Sequence, residues 1–285
     1  MPSLIDLRRR IRSVKNTQQI TKAMKLVSAA KLRKAQDRVI AARPYSGLLR
    51  ELLANIASAV RGREEVSDAL LSVRPQKRIQ LVLLSGEKGL AGSFNSNLVK
   101  AALVFIAERA DAQVVIELIG KKGRDFFRRR PVEISGELVG ALNNVRYADA
   151  QSVAKSAIER FRNEEIDAVY VMYNEFRSVM SQKLRVDRIL PAELPAGKGT
   201  GEYLYEQPPA QLLGTLLPRY VEVALFQAML ESAASEHAAR MTAMEAATKN
   251  AGEMIDKLTL YMNRVRQASI TKEIIEVVSG AAASE

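Results

Sequence analysis

Cysteine and tryptophan are absent from this 285-residue chain, and histidine occurs once, at His237. Without thiols there is no disulfide framework and no thiolate metal site. A single imidazole leaves little for histidine-based catalysis or metal binding. No run of about 18 apolar residues occurs, and Met1–Leu7 has no apolar core of signal-peptide length. The expectation is a soluble protein that reaches any membrane only through a partner. The most telling shortage is of helix breakers. Between Ser3 and Arg43 there is neither glycine nor proline, and between Arg219 and Ser279 there is only Gly252. Helices over these segments would run roughly 60 Å and 90 Å, whereas a compact chain of this length has a radius of gyration of about 19 Å. Such a chain reads as a body with a shaft, stalk or arm.

What is present narrows the class. The chain is 47% hydrophobic and 26% charged, enough apolar material for a sizeable core. Its net charge of +11 is confined to one end: thirteen of the 43 basic residues but only Asp6 and Asp37 of the 32 acidic ones lie in residues 1–50. The rest of the chain is neutral. A solvated helix face is the ordinary reading of a charge run. An excess this one-sided instead favours an anionic counterpart, either nucleic acid or an acidic protein surface.

The C-terminal segment carries a heptad stripe. Leu230, Ala234, His237, Met241, Met244, Thr248, Ala251, Ile255, Leu258, Met262, Val265 and Ser269 follow alternating steps of three and four, the pattern of a coiled-coil seam. Ala, Thr and Met in its upper part would let a partner helix approach closely. Ile255, Leu258, Met262 and Val265 in its lower part should hold most of the packing energy. The N-terminal helix is the expected antiparallel partner, through Ile11, Val14, Ile20, Met24 and Val27. His237 falls on the seam and reads as a packed residue.

Between the helices the pattern is α/β. Arg78–Ser85 and Gln113–Ile119 are apolar runs suited to buried parallel strands. Further strands are expected over Val132–Glu137 and Ile166–Asn174, with Gln182–Ile189 as an edge strand. Helices should cover Asn95–Arg109, Lys121–Arg130 and Tyr147–Asn163. This alternation predicts a three-layer, mostly parallel, Rossmann-like body. The expected division is an N-terminal shaft helix over 1–60, a body over 76–195, and a C-terminal shaft helix over 208–285. The loop Gly86–Ser93 follows a strand and opens a helix, but its glycines match neither the phosphate loop nor the dinucleotide fingerprint. Tight turns explain them, and no nucleophile–base set, carboxylate pair or metal cluster stands out. We expect a non-enzyme without cofactor or metal.

Two terminal runs carry a family resemblance. Arg10–Leu32 (RIRSVKNTQQITKAMKLVSAAKL) and Ser235–Ala251 (SEHAARMTAMEAATKNA), with Asn263–Glu273 (NRVRQASITKE) and Val278–Ala281, closely resemble the gamma subunit of the F-type ATP synthase. Gly89–Asn95 (GLAGSFN) is similar to the family's Gly-Leu-Cys-Gly-Gly-Phe-Asn, with the Cys and one Gly replaced. The chain has no room for the cysteine-bearing regulatory insertion of chloroplast members. The resemblance implies an antiparallel coiled coil inside a ring of alternating alpha and beta subunits. It places the body at a foot beside epsilon and the ring of c subunits, peripheral on the cytoplasmic face of a bacterial membrane. Proton flow would turn c ring and shaft together and drive each beta subunit through its binding states.

Residue by residue, the resemblance implies that Met24 and Lys25 meet an acidic lever loop of the beta subunits. Arg240, Gln267 and Thr271 would contact a second, catch loop, and Tyr205 and Glu206 would lie at the foot near the c ring and epsilon. Met241, Met244, Ile255, Leu258, Met262 and Val265 would remain seam. A rival reading, a basic coiled-coil arm that binds nucleic acid, explains the charge. It offers no aromatic residue for base stacking before Tyr45.

Overall fold

The computed structural model describes residues 3–60, 68–193 and 207–282. They fall into two compact units: residues 29–240, and the segments before 29 and after 240. Both long helices, α1 (Leu4–Val60) and α5 (Pro209–Ala282), contribute to each unit. Helix α5 opens on Pro209 as expected, because a first-turn residue has no helical use for the missing N–H. Helix α1 continues through Pro44, well beyond the breaker-free stretch.

The larger unit is a five-stranded sheet in the order β3-β2-β1-β4-β5. Strands β1 (Arg78–Leu84), β2 (Gln113–Ile119), β3 (Glu133–Leu138) and β4 (Ala168–Phe176) run parallel. Strand β5 (Gln182–Leu190) is the antiparallel edge. In β1 and β2 every residue after the first is buried, on both faces of the sheet, which is why they read as continuous apolar runs rather than alternating ones. On one face Ile79, Leu81, Leu83, Ile116 and Leu118 form a core with Leu98 and Phe105 of α2 (Phe94–Ala107) and Phe127 of α3 (Lys121–Phe127). Gln80, one residue out of phase, faces the other side and accepts from Arg160 of α4 (Tyr147–Arg162) at 3.0 Å. The sheet therefore lies between helical layers, as the alternation of strands and helices predicted.

Gly120, before α3, has φ +100°, and a Cβ there would lie 2.0 Å from the Ser85 carbonyl oxygen. Only glycine lets the β2–α3 turn pass this close to the end of β1. Helix α3 ends at Phe127, earlier than the expected Arg130, since a proline at 131 cannot continue it.

The smaller unit is an antiparallel helix pair. Gln18 Nε2 donates to the Thr248 carbonyl at 3.4 Å, the Thr248 hydroxyl lies 2.8 Å from that of Thr21, and Lys25 Nζ lies 2.6 Å from Glu245. As α1 advances from Gln18 to Lys25, its partners retreat from Thr248 to Glu245. Along the α5 stripe Met244 and Ala251 are buried, and Thr248, Ile255, Leu258, Met262, Val265 and Ser269 are half-buried. Within this unit the α5 side is more deeply buried at Met244 and Ala251 than at the lower positions, which were expected to hold most of the packing energy.

The partner stripe requires a correction. Ile20 is 60% exposed and Val27 57% exposed. The seam of α1 instead passes through Leu7, Ile11, Val14, Gln18, Thr21, Lys25 and Ser28, of which Leu7, Thr21 and Ser28 are buried. A strict alternation of three and four places Ile20 and Val27 one residue off that line. Polar side chains, Gln18, Thr21, Lys25 and Ser28, fill four consecutive positions of this line.

Candidate functional site

On the paired helices, Met24 is half-buried beside the seam and Lys25 is engaged with Glu245. Arg8, Arg9, Arg10, Arg12, Lys15 and Lys22 are exposed. In the larger unit, Arg38 donates to the Val145 carbonyl and lies 3.4 Å from Asn144 Oδ1. Part of the basic excess is thus spent inside the chain and the rest faces solvent. Gln267 and Thr271 are exposed, and the Thr271 hydroxyl donates to the Gln267 carbonyl at 2.9 Å. Continuing the antiparallel register brings Leu4, the first residue of α1, opposite the neighbourhood of Val265. Beyond it α5 leaves Ile270, Ile274, Ile275, Val277 and Val278 between 48% and 71% exposed. Tyr205 and Glu206 lie outside the described residues.

Arg240 does not stand on an outer face. It is 7% exposed, pairs with the Glu236 carboxylate one turn earlier, and donates to the carbonyls of Gly89 (3.2 Å) and Lys88 (3.3 Å). A guanidinium that follows the seam can reach this loop because α5 crosses the carboxyl ends of β1 and β4. There Ser232 donates to the Leu84 carbonyl at 3.2 Å, Ser235 donates to the Asn174 carbonyl at 2.9 Å, and Glu231 accepts from the Phe176 N–H at 3.0 Å. His237 Nδ1 lies 3.4 Å from Arg240 Nη1. Burial pushes the imidazole down from 6.5 to about 4, with Arg240, Lys31 and Lys88 acting in the same direction against Glu236. His237 is therefore a neutral packed residue at pH 7, as its place on the seam suggested.

The glycine loop is built around carboxylates. Glu87, buried, accepts from the N–H groups of Gly140 (2.7 Å) and Lys121 (3.2 Å). Next to α5, Lys31, Lys34 and Arg38 of α1 line a cleft of about 250 Å³ with Asn143, Asn144 and His237.

Among the buried acids that the sequence did not announce is one in the middle of the sheet. Glu117 of β2 is 8% exposed and accepts from Gln80 Nε2 at 2.5 Å. Burial pushes its carboxyl up from 4.5 to about 7, against the pull of Arg160 and the Gln80 hydrogen bond. A lone Glu inside the apolar run QVVIELI was the available signal.

The features that define the class are an antiparallel helix pair with exposed basic residues and, in the larger unit, a mostly parallel five-stranded sheet. The family model described as ATP synthase matches residues 3–283. The ATP synthase gamma chain of Solibacter usitatus is 65% identical, with 100% of both chains covered, and that of Pelotomaculum thermopropionicum is 50% identical, again over 100% of both. The central stalk and c-ring structure of the Tetrahymena thermophila mitochondrial ATP synthase contains a chain 27% identical with a TM-score of 0.64, covering 80% of this chain and 99% of that one. The chain belongs to the ATP synthase gamma chain family.

Proposed function

We propose that this chain is the central-stalk rotor subunit of an F-type ATP synthase, coupling proton flow through a c ring to ATP synthesis or hydrolysis in an alpha–beta ring. Full-length membership of the gamma chain family carries the reading. The chain is non-catalytic: it acts as a partner whose contact energy differs among the conformers of the catalytic subunits. Its partners are the alpha and beta subunits, epsilon and the c ring. Met24 and Lys25 on the paired helices, with Gln267 and Thr271 near the uncovered end of α5, face the beta subunits. Tyr205 and Glu206 serve the foot. Residues 1–60 and 208–285 act as shaft and 76–195 as the body at the foot.

No helix among the described residues is long and apolar enough to cross a membrane. The complex would hold the chain peripherally, on the cytoplasmic face of a bacterial membrane. Nucleic-acid binding finds no support beside family membership. Co-expression with alpha, beta and epsilon subunits tests the reading. The chain should copurify with them, restore ATP-driven proton pumping to a complex lacking its gamma chain, and bind no ATP by itself. Stoichiometric, micromolar ATP binding by the isolated chain, or assembly without it, would refute the proposal.

A further inference from the structure

In doubly wound sheets, ligands bind outside the carboxyl ends of the strands where the strand order reverses. Here that point lies between β1 and β4, since β2 and β3 extend the sheet to one side of β1 and β4 and β5 to the other. The crevice is occupied by side chains of α5. Glu236, 4% exposed, sets its carboxylate against the loop that follows β1. It accepts from the N–H groups of Glu87 and Lys88, both at 3.4 Å, and from the Arg240 guanidinium. The preceding N–H, at Gly86, donates to Asn95 Oδ1 at 2.8 Å. A Cβ at Gly86 would sit 3.1 Å from the Glu236 carboxyl carbon and 3.0 Å from Asn95 Oδ1. A side chain at Gly86 would therefore press on Glu236 and Asn95, which would have to give by a few tenths of an ångström. Successive amides, a guanidinium and a glycine that admits an acidic group make up the equipment of an anion site.

We propose that this is a built anion site whose resident ligand is the chain's own Glu236, and that the site accepts a small free carboxylate when that side chain is removed. Its role is positional. The carboxylate holds the loop of residues 86–89 in one conformation against α5, and Arg240 completes the site from the same helix by binding the carboxylate together with the carbonyls of Lys88 and Gly89.

Amide hydrogen exchange on the full-length chain, with sodium formate as the probe, tests this. In E236A the N–H groups of residues 86–88 should exchange faster by on the order of tenfold or more, the consequence of losing a charge-assisted acceptor. Formate should then return them toward the wild-type rate with a saturating dose response. It should leave the wild type and the double variant E236A/R240Q unchanged at the same concentrations. Should E236A fail to fold, E236Q keeps the shape and removes the charge, and the same amides should still exchange faster. Wild-type exchange in a folded E236A or E236Q would overturn the proposal. So would formate that slows exchange equally in the wild type and both alanine variants.

Discussion

At the residue scale, the polar groups inside the larger unit set its response to pH. Glu117 titrates near 7 in the folded chain against an ordinary 4.5, so the folded state holds the proton more tightly than the unfolded state does. Its contribution is complete below about pH 4.5 and is lost as pH rises through 7, amounting to at most about 3 kcal/mol. In E117Q this slope should vanish, so the variant should gain stability relative to wild type as pH rises from 5 to 8. Urea unfolding at both values measures the gain, and parallel wild-type and variant profiles would contradict it. His237 acts in the opposite sense. With its folded value depressed to about 4, its contribution is present above pH 6.5 and is lost as pH falls toward 4. As the sole histidine, it gives a single imidazole Hε1 resonance, whose titration midpoint should lie near 4. A midpoint above 6 would place the ring in water. Neither Gln267 nor Thr271 is buried, so truncating either to Ala removes about 1 kcal/mol at most, too little to undo the paired helices. Complexes assembled with these variants should form in normal yield yet hydrolyse ATP at altered rates. Wild-type rates together with wild-type proton pumping would reduce both residues to ordinary surface.

Among the elements, legibility followed burial pattern. Strands β1 and β2 were readable to within a residue because both faces are buried and their apolar runs are unbroken. Edge strand β5 was readable from its alternation. The α5 seam was legible because Met, Ile, Leu and Val fall on most of its positions. The α1 seam was not: Gln18, Thr21, Lys25 and Ser28 occupy it, while Ile20 and Val27 face outward. Close approach of the helices at Thr21 and Thr248 rewards small hydroxyl side chains that can satisfy one another, and hydropathy does not register this. The clasp of Arg240, Glu236 and the glycine loop was illegible for a different reason, since it joins residues about 150 positions apart. The seam also ranks its own mutations. Leu7 is 1% exposed, so Leu7→Ala should cost about 2–5 kcal/mol, as for a buried leucine. Ile255, Leu258, Met262 and Val265 are only half-buried, and each alanine substitution there should cost less than Leu7→Ala. Thermal melts of the full chain, read by circular dichroism, give the ranking. An Ile255→Ala loss larger than that of Leu7→Ala would contradict a ranking by burial.

For the whole molecule, the question is what the concentrated positive charge does. Internal ion pairs offset some of it: Lys25 meets Glu245 and Arg43 reaches Glu231 at 3.1 Å, whereas Arg38, held by Asn144 and the Val145 carbonyl, keeps its charge. The side chains of Lys22, Lys31, Arg33 and Lys34 remain exposed along α1. Exposed charges of one sign accelerate association with an oppositely charged surface, and they do so less as salt screens them over a length of about 10 Å at 0.1 M. If acidic protein surfaces are the counterpart, changing these four residues to Gln should slow docking of the chain into an alpha–beta ring. It should also flatten the salt dependence of the docking rate, while the unfolding transition moves little because none of the four is buried. Dissociation should change less than association, since steering acts before contact. Stopped-flow association at 50 mM and 300 mM salt separates these effects. A variant that docks as fast as wild type at both concentrations would show that the charge serves no partner on the ring. Sub-micromolar DNA binding by the wild-type chain at physiological salt, with a steep salt slope, would give the charge to nucleic acid instead.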